Sequence, residues 1–217
     1  MTPNREDYIK TIYSCNEKNE KLTNKELAER LGVSPASTSE MVRKLIESDH
    51  VVKDKELGLS LTEKGTLEAQ TLVRKHRLWE VFLVEHLGYS WTEVHEDAEV
   101  LEHGTSELLA NRLNEFLGFP EHCPHGSRIY GNTTADINQS VPLSSLKKGQ
   151  RGVLSKVRDH EELLNYLEHV KLNLGATFEV VEVDPYEGPH HILIDNRHVP
   201  VSHKASQEIY VILDSEE

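Results

Sequence analysis

What is scarce in this chain narrows its class before any motif is read. Its 217 residues hold two cysteines, Cys15 and Cys123. They are too few and too far apart for a disulfide framework, so a reducing cytoplasm is the expected compartment. No apolar run approaches the roughly 20 residues of a membrane span. The opening Met1-Thr2-Pro3-Asn4-Arg5-Glu6-Asp7 does not read as a signal peptide. No internal repeat, low-complexity tract, phosphate-cradling glycine loop or strand-end nucleophile occurs, so neither an enzyme nor a small-molecule substrate is expected. Positive charge is short as well: 24 Lys+Arg against 37 Asp+Glu leave a formal net charge of −13. The deficit is uneven. Residues 1–64 carry 11 Lys+Arg against 12 Asp+Glu, a balance of −1, so the remainder carries −12. The first part can therefore present a basic face while the rest repels polyanions.

What is present suits a globular chain of two compact domains, or one with an appendage: 37% hydrophobic and 28% charged residues. Thr2-Pro3 can cap and open a helix whose apolar face is Tyr8, Ile9, Ile12 and Tyr13, with Asp7 just before it. Thr23-Asn24-Lys25-Glu26 fits a capping box, Leu27, Ala28 and Leu31 supply a buried side, and Gly32 stops the helix. Ser34-Pro35 starts another, running to about Ser48. This is helix-turn-helix spacing. The second helix opens on small and hydroxylated residues, Ser34, Pro35, Ala36, Ser37, Thr38 and Ser39, which let a helix end approach base edges. Arg43 and Lys44 follow at positions suited to phosphates. Val51-Val52-Lys53 and Leu59-Ser60-Leu61 read as two strands around a turn near Gly58, completing a winged helix with Lys53 and Lys55 on the wing. An αα-hairpin that never meets DNA is the alternative.

Thr62 caps a long helix to about His86 that carries His76 and Glu80 one turn apart. Helices follow from His95 to His103 and from Glu107 to Leu117. Glu99, Glu102 and His103 stack on one side of the first, and like charges at that spacing repel. A divalent cation would offset the repulsion, since carboxylates and imidazole suit manganese or iron(II); a solvated acidic face is the bland alternative. Thirteen histidines are many for this length, and six lie between His76 and His125. Cys123-Pro124-His125 sits in a proline-stiffened loop that, with His76 and Glu80, can close a second site. Trp91, Leu101, Leu108, Leu109, Leu113 and Phe116 exceed what one helical layer buries, which reads as a dimer interface or as the floor of the next domain. Residues 127–140 read as a polar linker. From Pro142 short strands with one helix, Glu161 to His169, suggest a small β-barrel, with Asp159 and His160 at that helix start.

In order and spacing these motifs resemble the diphtheria-toxin-repressor family, in its manganese-responsive branch. The likeness rests on Glu6-Asp7-Tyr8-Ile9-Lys10-Thr11-Ile12-Tyr13, the winged helix, Arg74-Lys75-His76-Arg77-Leu78 with Glu80, Glu99-Val100-Leu101-Glu102-His103 and Cys123-Pro124-His125. It implies a mainly α chain with a β C-terminal domain: winged helix (1–64), helical metal-binding and dimerisation domain (65–126), linker (127–141) and an SH3-like, FeoA-type domain (142–217). It also implies a homodimeric, metal-activated repressor of metal-uptake genes on palindromic double-stranded operator DNA. The cofactor would be Mn2+, with Fe2+, Zn2+ or Cd2+ as substitutes in vitro. The primary ligands carry over onto Asp7, Glu99, Glu102 and His103. Iron-responsive relatives have methionine and cysteine where Asp7 and Glu99 stand. A second set carries over onto His76, Glu80, Cys123, His125 and Asp159, with His160 next in line for the last place. Lys10 departs from the short two-domain manganese regulators, which use a glutamate there to build a two-metal centre. Two other classes fit parts of the pattern: a metallohydrolase using the Glu/His/Cys cluster, and a winged-helix protein with only a structural zinc site.

Overall fold

The computed structural model describes residues 4–133 and 140–214. Two compact units form among them, one from residues 4–76 with 100–110, the other from residues 77–99, 111–133 and 140–214.

In the first unit α1 (Arg5–Glu17) begins at Asn4, whose side chain accepts from the Glu6 and Asp7 amides while Asp7 accepts from the Asn4 amide. This reciprocal cap satisfies donors that a helix start otherwise leaves open. The start expected at Thr2-Pro3 lies outside the described residues. Tyr8, Ile9, Ile12 and Tyr13 form the buried face, each fully buried apolar chain contributing about 1.5–3 kcal/mol. The Thr23–Glu26 capping box starts α2 (Asn24–Leu31), and Gly32 in the left-handed region (φ 63°) ends it. Ser34 caps α3 (Pro35–Glu47), which buries Thr38, Val42 and Leu45. The wing is β1 (Val51–Asp54) against antiparallel β2 (Gly58–Leu61), Val51 opposite Leu61. Its turn is held by Asp54 accepting from the Glu56 and Leu57 amides. Leu22 ties the hairpin to the α1–α2 connection through its amide on Leu57 O (2.8 Å) and its carbonyl on the Leu59 amide (2.9 Å). A Cβ at Gly58 would stand 2.4 Å from that carbonyl, so only glycine closes this corner. The helix α4 (Glu63–Leu87) follows, with Thr62 accepting from the Gly65 amide.

The second unit takes the C-terminal part of α4 and parts of α5 (Val94–Gly104) and α6 (Glu107–Phe116). Trp91 packs against the core formed around Leu143, Leu154, Leu164, Val180, Ile192 and Val211. Of the two readings of the apolar surplus, Trp91 thus follows the second, while Leu108, Phe116 and Phe119 stay exposed. The described part of the expected linker is packed: Ile129 is fully buried, its amide bonds Glu121 O at 2.8 Å, and Asn132 bonds Asn114 and Pro120 O. Beyond it lie β3 (Ser140–Pro142), β4 (Arg151–Val157), α7 (Glu161–Val170), β5 (Thr177–Val183), β6 (His190–Ile194), β7 (Arg197–Val201), α8 (His203–Ser206) and β8 (Ile209–Leu213). The strands form one antiparallel sheet in the order β3-β8-β4-β5-β6-β7. Alternation puts His190, Ile192 and Ile194 of β6 inward. Register shifts at Leu154/Lys156 and Val180/Glu182 bend the sheet around its core. Among the described residues no helix is long and apolar enough to cross a membrane.

Candidate metal centre

In the first unit α1 and α5 bring acids and a histidine together. Asp7 has one oxygen on the Asn4 amide (2.5 Å) and the other 3.0 Å from His103 Nε2. His103 Nδ1 lies 2.6 Å from Glu6, and Nε2 3.7 Å from Glu102. Burial works against a charged His103, but the bond to Glu6 and the charges of Glu102 and Asp7 outweigh it and raise its pKa. The side chain of Glu102 is 0% exposed, and both its oxygens accept from Lys10 Nζ, at 2.9 and 2.8 Å. A buried carboxylate without such a cation would carry a large uncompensated desolvation cost. Glu99 precedes Glu102 by three positions and His103 by four on α5, so the helix turns it to the same side. In its own unit Glu99 lies 3.9 Å from His95.

The second set forms in the second unit. Glu80, Cys123 and His125, all buried, offer donor atoms within 4.8 Å of one another. A single ion with ligands at about 2.0–2.3 Å spans such a group with small adjustments. His125 Nε2 donates to Trp91 O at 2.9 Å, which points Nδ1 at Glu80 (3.1 Å) and Asp159 (3.8 Å). The loop holds this pose because the Gly126 amide bonds Cys123 O (2.9 Å) and His125 O accepts from the Val157 amide of β4 (3.0 Å). Gly126 adopts φ +80°, and a Cβ there would stand 2.1 Å from Ser155 O. Burial and the Glu80 charge push the Cys123 thiol up. Burial alone would lower the His125 pKa, but its bonds to Cys123 and Glu80 and the Asp159 charge carry it to about 11.

Asp159 joins this set, and His160 does not. His160 caps α7 by accepting from the Leu163 amide and pairs with Glu208. His76 offers donor atoms to both sets: it groups with Glu80 and Asp159 as expected, and its Nδ1 also lies 2.6 Å from Glu102, with Lys10 Nζ 3.4 Å away. It still precedes Glu80 by one turn of α4. Sequence reasoning missed His95, whose Nδ1 lies 3.0 Å from Asp159 and which forms a donor group with Glu80 and Asp159. The available signal was its place one turn before Glu99.

At the start of α3, Ser34, Pro35, Ala36, Ser37 and Ser39 are exposed, as is Lys53 on the wing. Thr38 is a correction. It is 0% exposed, and its hydroxyl donates to Ser34 O at 3.2 Å, so it packs the helix down and cannot face a base. Arg43 and Lys44 are exposed and pair with Glu47 (2.6 Å) and Glu40 (2.8 Å) along the same helix. Such surface pairs contribute little and yield readily to a phosphate.

Comparison with known proteins covers this whole arrangement. Residues 1–59 match the iron dependent repressor N-terminal DNA binding domain, 62–131 its metal binding and dimerisation domain, and 141–213 the FeoA domain. The regulator MntR of Listeria monocytogenes is 35% identical over 123 residues, 57% of this chain and 86% of its own length. The manganese regulator SloR is 40% identical with a TM-score of 0.84, covering 99% of this chain and 100% of its own. ScaR with bound Zn2+ is 38% identical with a TM-score of 0.84, covering 96% and 99%. A manganese-dependent transcriptional repressor in complex with manganese is 35% identical with a TM-score of 0.87, covering 97% and 100%. With all three domains matched in order, the chain belongs to the iron-dependent repressor family, in its three-domain branch of manganese regulators.

Proposed function

We propose that this chain is a manganese-activated transcriptional repressor, not an enzyme. It acts in the cytoplasm as a homodimer on palindromic double-stranded operators of metal-uptake genes. The observation that carries the reading is the meeting of Asp7, at the first turn of the winged helix, with His103 on α5, whose Nε2 also lies near Glu102. In this reading Asp7, Glu99, Glu102 and His103 hold one divalent ion. Carboxylate oxygens and a single imidazole nitrogen are the hard set that suits manganese. Glu80, Cys123, His125 and Asp159, with His95 or His76 alongside, hold another. Bound metal supplies cross-linking charge and no bond chemistry. Ligation would fix Asp7, and with it α1, against α5. Two α3 helices must match half-sites about one or more DNA turns apart, so fixing their placement raises affinity by favouring the competent state. Ser34, Pro35, Ala36, Ser37 and Ser39 approach base edges, and Arg43, Lys44 and Lys53 approach phosphates. Binding of the protein to a genomic fragment library should rise on Mn2+ addition, and Glu102→Ala should leave a folded dimer without that rise. Equal DNA binding with and without manganese would favour a purely structural zinc protein instead.

A further inference from the structure

Lys10 holds the position that an ion on Glu102 would need. Its ammonium grips both oxygens of a carboxylate that is 0% exposed, and lies 3.4 Å from His76, which bonds the same carboxylate. A carboxylate gripped through both oxygens has its in-plane fork filled, the place from which a cation would be bound with two oxygens. The Lys10 side chain is 21% exposed, so it borders solvent and is not sealed in with Glu102. Resting on the reading of Asp7, Glu99, Glu102 and His103 as a metal set, we propose that Lys10 is a built-in competitor. It occupies Glu102 in the metal-free protein and must swing away before a divalent ion is held, which sets the metal concentration at which the repressor responds.

Two physical effects act in the same direction. The charge-assisted bonds between Lys10 and Glu102 are broken on metal binding, and a cation that stays near the ion repels it. Both weaken binding of every divalent ion alike, because both depend on charge and not on ligand preference. Lys10 therefore shifts the threshold without changing the order of affinities that ligand chemistry imposes. It also stabilises the empty state, since Glu102 never stands buried and alone.

The test is Mn2+ affinity at the first set, measured without DNA by withdrawing the ion from loaded protein with a chelating dye. A variant that is unstable without metal is still scored this way. Lys10→Met and Lys10→Gln should bind Mn2+ about tenfold or more tightly than wild type, given the strength of hydrogen bonds to charged groups. Cd2+ should tighten by a similar factor. Lys10→Arg, which keeps the charge and can fork onto both oxygens of the same carboxylate, should not tighten binding. In thermal unfolding, Lys10→Met should lower the melting temperature of the metal-free protein and leave that of the loaded protein nearly unchanged. Unchanged or weaker Mn2+ binding in Lys10→Met and Lys10→Gln, or equal tightening in Lys10→Arg, overturns the proposal. Glu102→Gln separates the two readings. If it binds Mn2+ at the first set as wild type does, the metal assignment itself fails. If it loses that binding while Lys10→Met is unchanged, only the competitor role fails.

Discussion

A divalent ion entering the second set should expel two protons. Burial opposes a charge on His125, yet its bonds to Cys123 and Glu80 and the neighbouring Asp159 hold its pKa at about 11, so at pH 7 it is an imidazolium. Cys123 is pushed above its ordinary value by burial first and by the Glu80 charge next, so it is a thiol at that pH. Metal ligation needs the neutral imidazole and the thiolate. With His125 Nε2 committed to Trp91 O, the proton to be lost is the one on Nδ1. Each proton released adds about one to the slope of log affinity against pH, so affinity should rise about a hundredfold per pH unit between roughly pH 6 and 8. The metal-free protein should show the opposite trend. A histidine whose folded pKa is raised gives stability that is complete below its unfolded value and is lost as pH climbs through the folded one. The empty second unit therefore loses the His125 contribution between its ordinary value of 6.5 and about 11. Calorimetry on Glu102→Ala, which silences the first set, in two buffers of different ionisation enthalpy counts the protons directly. One proton or none released, with a slope near one or zero, would refute the pairing of His125 and Cys123 as joint ligands.

Two further expectations concern the DNA face and the ligand loop. Lys44→Ala should weaken binding to all sequences alike and reduce the salt slope by about one, while Ser37→Ala should alter the preferred operator; a wild-type salt slope for Lys44→Ala counts against its phosphate role. Gly126→Ala should cost about 2–4 kcal/mol, because it forces a side chain into φ +80° with a Cβ 2.1 Å from Ser155 O. Denaturant titration reads the loss, and the second-set affinity should fall with it; a neutral result would mean the loop bends away freely.

The parts of this molecule legible in its sequence are those decided locally. The Thr23–Glu26 box, the Gly32 stop and the Ser34-Pro35 start depend on neighbours within four residues, and so does the stacking of Glu99, Glu102 and His103. Thr38 went astray because its hydroxyl outweighed its phase. It lies four and seven positions before Val42 and Leu45, on the buried stripe. The spacing of His76 and Glu80 on α4 shows their shared side, but not that His76 also reaches Glu102. His95 hid at the head of an acidic run that resembles a solvated face, and only the approach of Asp159 gives it a role. The segment 127–133 has one deeply buried apolar residue, Ile129, too few for any periodicity. The short β3 and α8, of three and four residues, cannot show a period either.

Asp7 is held at two points, one oxygen on the backbone amide of Asn4 and the other at His103. A side chain pinned in this way is a stiff link, because rotation about its own bonds would break its half of the reciprocal cap. A pull on the outer oxygen would be passed to the first turn of α1, which packs on α2 and on the wing strand β2. A long, freely rotating thioether in that place would absorb the same pull as slack. In the proposed metal-bound state a carboxylate here would suit manganese and would also give a stiffer link from the ion to α1 than a thioether could.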